Sequence, residues 1–222
     1  MKNTIPLWPL LCLALLCGCS SDDDTVQSSD PTSNNNDDPV AERTLIPDSA
    51  FEQALVDLGF DDVVDGSMLK SSAESVVNLV INELEISSLS GLRDFSNLEN
   101  LWAQNNNLTS IDLSGNNRLK FVYVDGNDLT SLQVASLGIL EKIGASNNQL
   151  TAIDVTNNTG LQILEIGGNQ IEAINVSANP ELNVFSVVNN PLTCIQVNSQ
   201  QLANIPAQWE KDPEDRYALN CN

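Results

Sequence analysis

Histidine is absent from the 222 residues, and lysine and arginine together number nine against thirty aspartates and glutamates. Without histidine the chain lacks the commonest general base and the commonest metal ligand, and it cannot form a histidine-dependent nucleophilic dyad. A formal charge of −21 repels nucleic-acid phosphates and anionic lipid head groups. The composition therefore argues against nucleic-acid binding and against an enzyme, and neither a cofactor nor a metal is expected.

Cysteine is also scarce, and the five cysteines fall into two groups. Cys12, Cys17 and Cys19 lie in the N-terminal apolar segment, whereas Cys194 and Cys221 lie near the C-terminus. If the first group is removed or modified, an isolated pair remains, and in an exported chain such a pair predicts one disulfide. This disulfide would close a loop of about 28 residues, which is worth roughly 3–4 kcal/mol in the chain-entropy model.

The chain has no apolar run long enough for a transmembrane helix, which needs roughly 20 residues. The longest run, from Ile5 to Leu16, follows Lys2 and ends in small residues, a combination typical of a secretory signal. Leu16-Cys17-Gly18-Cys19 resembles the bacterial lipobox, in which the final cysteine is lipidated. The resemblance implies a lipid anchor at Cys19; the alternative is an ordinary cleaved signal that leaves Cys19 free.

The stretch after the signal is acidic. Residues 20–42 contain seven acids and no base, so they cannot bury enough apolar surface to fold and are expected to form a disordered tether. Asp22-Asp23-Asp24 resembles the surface-export signal of Bacteroidota lipoproteins, which implies an outer-membrane protein that faces the cell exterior and contacts the membrane through its lipid only. Asp24-Thr25 resembles the short O-glycosylation signal of the same bacteria, so Thr25 is a candidate modification site.

A 21-residue period organises the rest of the chain. Each copy follows the pattern L-x-x-L-x-L-x-x-N-x-L, and a weaker copy begins near Leu79 with Leu84 in place of the asparagine. The fourth position of the copies holds Leu101, Val122, Ile143, Leu164 and Phe185, and the ninth holds Asn106, Asn127, Asn148, Asn169 and Asn190. Apolar residues that alternate at the fourth and sixth positions predict a short strand with one buried face. The asparagines are expected to bond to backbone groups in the turns.

This pattern resembles the leucine-rich repeat, in a 21-residue bacterial class. Its opening motif I-P-D-x-x-F-E-x-A-L-x-x-L-G and closing motif N-N-P-L-T-C-I-Q-V resemble flavobacterial leucine-rich-repeat surface lipoproteins of the Bacteroidota, over residues 44–222. The resemblance implies a β-rich solenoid, which is a right-handed coil of short parallel strands with an N-terminal helical cap and a disulfide-closed C-terminal cap. Because stacked coils bury a continuous core, we expect six coils to form one sheet.

Five segments are predicted from these features. They are a lipoprotein signal peptide at 1–18, a lipidated acidic disordered tether at 19–43, an N-terminal cap with a helix at 44–75, leucine-rich repeats at 76–197, and a C-terminal cap at 198–222.

The N-terminal cap carries a helix signal and an acidic run. Ser49 and Glu52 are expected to form a capping box, Gly59 is expected to end the helix, and one helix face should be apolar. That face holds Phe51, Leu55 and Leu58. The run Asp61–Gly66 invites a calcium loop, but its third and twelfth positions are Val63 and Ser72, which do not supply the oxygen ligands of such a loop. A charged turn is the preferred interpretation.

The third, fifth and seventh positions of each copy should point outward on the strand face. Exposed aromatic clusters are typical of binding hot spots, although aromatic and β-branched residues also suit strands that bind nothing. The candidate ligand-binding residues are Trp102, Phe121, Tyr123, Asp125, Ile163, Glu165 and Val184. A glycosidase carboxylate pair would need a cleft and a separation of about 5 Å or 6.5–9.5 Å, whereas two strand spacings put Asp125 and Glu165 roughly 9–10 Å apart.

The sequence therefore predicts a non-catalytic cell-surface binding module that mediates protein–protein interaction or adhesion through its strand face. A glycan-binding accessory lipoprotein for nutrient uptake is the alternative, because the same aromatic rings can stack on sugars. An enzyme is the third and least favoured hypothesis.

Overall fold

The computed structural model describes residues 41–221. The predicted signal peptide, the lipidation site Cys19, Thr25 and the tether up to residue 40 lie outside the described residues. The strands in chain order are β1 Arg43–Leu45, β2 Ser67–Leu69, β3 Asn78–Val80, β4 Asn100–Trp102, β5 Phe121–Tyr123, β6 Lys142–Gly144, β7 Ile163–Glu165, β8 Ala173–Asn175, β9 Val184–Ser186, β10 Cys194–Gln196, β11 Gln208–Glu210 and β12 Tyr217–Ala218. The helices are α1 Ser49–Asp57, α2 Lys70–Ser75 and α3 Ser199–Ala203, and a 3-10 turn spans Leu92–Asp94. None of the helices within residues 41–221 is long and apolar enough to cross a membrane.

The repeats form a parallel sheet with one strand from each coil. Its strand order is β11-β9-β7-β6-β5-β4-β3. The fourth-position residues lie opposite one another along the sheet and are completely buried, as the 21-residue period predicts. This file consists of Leu101, Val122, Ile143, Leu164 and Phe185. A solenoid of stacked coils with one continuous core is therefore confirmed.

The sheet has seven strands rather than the expected six. The additional strand is β11, which comes from the predicted C-terminal cap and pairs in parallel with β9. Its central residue Trp209 packs edge-on against Phe185 with ring centroids 5.2 Å apart, and its indole Nε1 donates to the Leu182 carbonyl at 3.2 Å. Because Trp209 follows Phe185 by 24 residues rather than 21, the period alone did not detect it.

A second, smaller sheet and a disulfide complete the C-terminal end. Strands β8, β10 and β12 pair in parallel, with β10 in the centre. Cys194 in β10 is bonded to Cys221, with Cα atoms 5.7 Å apart. The predicted disulfide is therefore confirmed, and it links Cys221 in the C-terminal cap to strand β10 of the repeats.

The ninth-position asparagines make a hydrogen-bond ladder through the turns. Asn148 is representative: its Nδ2 donates to the carbonyls of Val124 at 3.0 Å and Ala145 at 3.2 Å, and its Oδ1 accepts from the Leu129 amide at 3.0 Å. Asn127 and Asn169 repeat the same bonds one coil away on either side. The asparagine column is thus structural, as predicted.

The residue before each ninth-position asparagine adopts a left-handed conformation. This column holds Asn105, Gly126, Asn147, Gly168 and Asn189, with φ of 54°, 66°, 55°, 67° and 58°. Asparagine and glycine are the residues that tolerate this region best. The chain can therefore turn sharply at the end of each strand, because asparagine or glycine occupies this position in every copy.

A second amide ladder runs along the other half of the coils. Asn158 and Asn179 donate their Nδ2 groups to carbonyls of the preceding coil, and Leu137 interrupts the ladder. At the C-terminal end Gln201, in α3, donates Nε2 to the carbonyls of Val176 and Asn179, both at 3.0 Å. The longer glutamine side chain lets a helix take the place of the next coil.

The predicted capping box of Ser49 and Glu52 is wrong. Helix α1 begins at Ser49, but the residue that caps it is Asp48, whose Oδ1 accepts from the amides of Ala50 and Phe51, both at 3.0 Å. Its other oxygen, Oδ2, accepts from the amides of Ser87 and Ser88 at 2.9 and 2.8 Å. Because a carboxylate has two acceptor oxygens, Asp48 caps the helix with one and ties it to the first coil with the other.

Glu52 is buried and has a role other than the expected one. Its Oε1 accepts from the backbone amides of Asp65, Gly66 and Ser67 at 3.0, 2.6 and 2.8 Å. It therefore holds the turn that leads into β2 rather than the start of α1. Leu58 is 44% exposed, so the predicted apolar face consists only of Phe51 and Leu55, and Gly59 ends the helix at φ 76°.

Candidate functional site

The candidate surface is the outer side of the seven-stranded sheet, which we call the strand face. It is formed by the third, fifth and seventh positions of the coils. Six of the seven residues singled out in the sequence lie on strands, and the seventh, Asp125, follows β5. All seven are half-buried, in contrast to the fully buried fourth-position file. The alternation of inward and outward residues is therefore confirmed, whereas the binding role of the outward residues stays a prediction.

Two aromatic rings stack on the strand face, on the second and third strands from its N-terminal edge. Trp102 and Tyr123 lie opposite each other on β4 and β5, with ring centroids 6.4 Å apart and planes within 10° of parallel. The Tyr123 ring extends over Gly144 on the next strand, where a Cβ atom would lie only 2.5 Å from its Cδ1 atom. Gly144 thus leaves the space that the Tyr123 ring occupies.

Phe121 does not join this ring pair. Its ring lies beneath the Lys142 ammonium, with Nζ 4.6 Å from the ring centroid. The two residues lie opposite each other on β5 and β6 at the third position. The expected cluster of three aromatics therefore consists of a stacked pair and a separate cation–π contact.

Two carboxylates border the ring pair. Asp125 accepts from the Ser146 amide at 2.9 Å and from Gln104 Nε2 at 3.3 Å. Burial raises the pKa of Asp125 and these hydrogen bonds lower it, with burial the larger effect. Burial also raises the pKa of Glu165, and the negative charges of Asp125 and Glu210 raise it further.

The hydroxyl of Tyr123 responds to the same surroundings. Burial is the main cause that raises its pKa, followed by the charges of Glu165 and then Asp125. The three groups therefore share one local field. Within residues 41–221 the salt bridges join Arg43 to Asp65, Lys70 to Glu42 and Lys120 to Glu99, so neither Asp125 nor Glu165 has a basic partner in this part of the chain.

The second apolar group lies two strands further along the sheet. Ile163 and Val184 are opposite each other on β7 and β9. Gly167 lies beside Val188, whose Cγ2 would be 3.3 Å from a Cβ at that position. The structure therefore brings Ile163 and Val184 together, separately from the ring pair.

Two residues of the strand face were missed in the sequence. Val80 lies opposite Trp102 and is 51% exposed, and Glu210 lies opposite Ser186 on β11. Val80 was detectable, because it is the fifth position of the weak first copy. Glu210 was not, because β11 lies outside the period.

The acidic run in the N-terminal cap forms a turn in which the side chains of Asp61 and Asp65 bond to neighbouring groups of the protein. The carboxylate of Asp65 pairs with the Arg43 guanidinium at 3.2 Å and accepts from the Ser67 amide at 3.0 Å. Asp61 Oδ1 accepts from the amide of the adjacent Asp62 at 3.0 Å. Across the described part of the chain, no three histidine, cysteine, aspartate or glutamate side chains converge in a way that could hold a metal ion.

Comparison with known proteins gives structural neighbours only. No protein-family model matches the sequence, and no curated protein matches it. Among solved structures, the chain is similar to the functional domain of InlJ from Listeria monocytogenes, with 25% identity, a TM-score of 0.63 and coverage of 71% of this chain. The match spans 38% of the InlJ structure. The InlJ domain includes a cysteine ladder, whereas the described residues here contain the single bonded pair Cys194 and Cys221.

Two plant receptors share the fold at lower identity. The peptide hormone receptor RGFR1, solved in complex with RGF2, is 19% identical with a TM-score of 0.56, and the match covers 68% of this chain and 26% of the receptor. The leucine-rich-repeat ectodomain of GASSHO1/SCHENGEN3 from Arabidopsis thaliana is 17% identical with a TM-score of 0.53, covering 66% of this chain and 19% of the receptor chain. These similarities show that the fold is a leucine-rich-repeat solenoid.

Proposed function

We propose that this chain is a non-catalytic binding module that recognises a protein partner through the strand face, at the cell surface. The observation that carries the proposal is the stacked pair of Trp102 and Tyr123, half-buried on two adjacent strands of a regular parallel sheet. A leucine-rich-repeat fold supports a protein-interaction role in general, since it presents one extended face on a fixed backbone.

The ring pair has the physical properties of a binding hot spot. Large aromatic side chains contribute strongly to the binding energy of well-packed interfaces, and tryptophan and tyrosine are enriched among residues whose truncation weakens binding. The Tyr123 ring stacks on Trp102 and lies over Gly144. Because its position is already fixed, the side chain loses little freedom on association. A partner would therefore meet a preorganised surface.

The position at the cell surface follows from the N-terminal motifs. The lipobox-like Leu16–Cys19 supports a lipid anchor at Cys19, and the acidic stretch after it supports export to the outer face of the outer membrane. A tether of about 20 residues would hold the solenoid away from the lipid head groups. The proposed partner is then a protein in the extracellular medium or on another cell.

Site-specific photo-crosslinking tests this proposal. A benzophenone side chain placed at Ser186 reports contacts on the strand face and leaves both aromatic rings intact. The matched control carries the same group at Gln133, which is exposed on another side of the coil that carries Tyr123. We expect extracellular protein from the native host to give a discrete adduct with Ser186 and none with Gln133.

The double variant Trp102→Ala, Tyr123→Ala completes the test. It should remove the adduct at Ser186, because the two rings supply the contact. Its melting temperature should fall by only a few degrees, since partly exposed side chains contribute little to stability. Equal adducts from both positions, or an adduct that survives the double substitution, would contradict binding through the strand face.

Glycan binding is the second candidate function, and the same stacked rings favour it. Aromatic side chains of this kind can pack against the apolar faces of sugar rings. A glycan array probed with the wild-type chain and with the double variant separates the two candidates. Sugar binding that depends on Trp102 and Tyr123, in the absence of any protein adduct at Ser186, would favour an accessory role in glycan uptake.

A further inference from the structure

The first strand of the seven-stranded sheet has an unpaired edge. β3 stands at the end of the strand order and pairs with β4 alone among residues 41–221. The Ile81 amide donates to the Trp102 carbonyl at 2.8 Å, and the Val77 carbonyl accepts from the first amide of β4 at 3.1 Å. Because backbone groups alternate in direction along a strand, Asn78 and Val80 direct their amides and carbonyls away from β4. We call these outward groups of Asn78 and Val80 the β3 edge.

The sequence around β3 lacks the features that protect a sheet edge. Natural edge strands are commonly blunted by lysine, proline or a bulge. Residues 76–82 read Val-Val-Asn-Leu-Val-Ile-Asn, with no charge, proline or glycine, although the chain carries a net charge of −21. Uncharged segments of this length with high β-propensity add readily to other strands. Val77 and Val80 are 41% and 51% exposed, so apolar side chains flank the open backbone.

The opposite edge of the same sheet is protected. At β11 the amide of Trp209 already donates to the Pro206 carbonyl at 3.1 Å. Pro206 and Pro213 lie on either side of the strand, and Glu210 and Lys211 add charges. Prolines and charges at an edge oppose further pairing. Of the two edges of this sheet, the β3 edge is therefore the one suited to accept another strand.

We propose that the β3 edge pairs with the β3 edge of a second copy of this chain, in an antiparallel dimer with two-fold symmetry. Asn78 of each copy lies opposite Val80 of the other, and each of these pairs exchanges two backbone hydrogen bonds. Leu79 lies at the two-fold axis. Because each copy uses the same edge, the contact is isologous and closes at two copies. This inference goes beyond the proposed function and does not depend on it.

The register of this pairing suits a second copy. Glu83, the first acid after β3, lies across from Ser75 of the other copy, so the nearest carboxylates do not face each other. A segment with charged residues would find no opposite charge on residues 76–82. Paired residues of an antiparallel sheet share a face, so both strand faces lie on the same side. The two Trp102 side chains are then three strand spacings apart, roughly 14 Å across the sheet.

Sedimentation velocity on residues 20–222, which contain both caps, all repeats and the disulfide, tests the association. We expect a monomer–dimer equilibrium that tightens as the salt rises from about 50 to 300 mM, because screening reduces the repulsion between two acidic copies. Val80→Lys should weaken the dimer at least about tenfold, since it places a charge in both bonded pairs. The matched control is Ile139→Lys, at a residue that is 50% exposed and distant in sequence from β3. It should change the affinity less than about twofold.

Cysteine pairing tests the register. In residues 20–222 the native cysteines Cys194 and Cys221 are bonded to each other, so an introduced cysteine supplies the free thiol. Mixing copies with Asn78→Cys and copies with Val80→Cys should give a mixed disulfide, because the two Cα atoms lie about 5.5 Å apart in a bonded antiparallel pair. Either variant alone should crosslink more slowly, since identical residues lie two positions out of register.

Four results would overturn the inference. They are a monomer at every concentration up to about 200 µM, species larger than a dimer, equal effects of Val80→Lys and Ile139→Lys, and a mixed disulfide that forms no faster than the single ones. A benzophenone side chain at Val80 should capture a second copy, and capture of a different protein would assign the edge to that protein instead. The protein-binding function is decided separately by the Ser186 adduct, so the two proposals can fail independently.

Discussion

The inward and outward columns of the same coils follow opposite rules. The ninth position is asparagine in all five full copies, and the fourth position is aliphatic in four of them and phenylalanine in the last. The fifth position changes at every coil: Val80, Trp102, Tyr123, Gly144, Glu165 and Ser186. The inward residues repeat because each one packs against its own counterparts above and below. The outward residues have no such constraint, so their variety is available for recognition.

The contrast has an energetic side that experiments can measure. An inward substitution disturbs two neighbouring coils as well as its own, since the coils share one core. An outward substitution changes contacts with one or two neighbouring side chains and with solvent. Stability should therefore depend on the inward columns and binding on the outward ones.

Adjacent residues of β7 give the largest predicted difference. Leu164 is completely buried and Ile163 is on the strand face. Leu164→Ala should lower the free energy of unfolding by about 3 kcal/mol, because it leaves a cavity in the shared core. Ile163→Ala should lower it by less than about 1 kcal/mol. Urea denaturation measures both values, and comparable losses would contradict the division between the two columns.

The asparagine ladder predicts a smaller effect of the same kind. Asn148→Ala removes the bonds that Nδ2 donates to three carbonyls of its own and the preceding coil, and it leaves the buried Leu129 amide without its acceptor. We expect a loss of about 2 kcal/mol in the free energy of unfolding. The control is Gln149→Ala at the next position, whose exposed side chain bonds only to Asp128, and it should cost less than about 0.5 kcal/mol. Equal costs in urea denaturation would show that the ladder does not stabilise the stack.

The repeated part of the fold was predictable because every coil has the same packing and hydrogen-bonding requirements. Each coil must bury the same positions, so five copies of one pattern located the strands, the core file and the asparagine ladder. The disulfide followed from the isolation of Cys194 and Cys221. The outward direction of Trp102 and Tyr123 followed from strand alternation alone.

The ends of the solenoid and the details of the strand face were not predictable in the same way. A cap has to match a coil on one side only, so Trp209 enters the sheet at its own spacing and Asp48 replaces Ser49 as the helix cap. The position of the Tyr123 ring over Gly144 depends on a residue of the neighbouring coil, 21 residues away. Pattern analysis within one copy cannot detect a contact of that kind.

The smallest predicted effect concerns the stability cost of Asp125. Burial raises the pKa of this carboxyl above its ordinary value of 3.8, so the folded protein holds the proton more tightly than the unfolded chain does. The corresponding stabilisation is complete below pH 3.8 and is lost as the pH rises through the higher folded value. At pH 7 the ionised carboxylate therefore lowers stability, and its negative charge also raises the pKa of Glu165 and of Tyr123.

Asp125→Asn should consequently raise the melting temperature at pH 7 by no more than a few degrees, and the gain should shrink as the pH falls toward 3.8. The exposed Asp128→Asn is the control, and its smaller effect reports the general relief of net negative charge. Differential scanning calorimetry between pH 3.5 and 7 measures both differences. A larger gain at pH 7 for Asp125→Asn than for Asp128→Asn would show that ionised Asp125 lowers the stability of the fold. If Asp125→Asn instead lowers the melting temperature at pH 7, its bonds to Ser146 and Gln104 outweigh its burial, and the carboxylate belongs with the inward, structural columns.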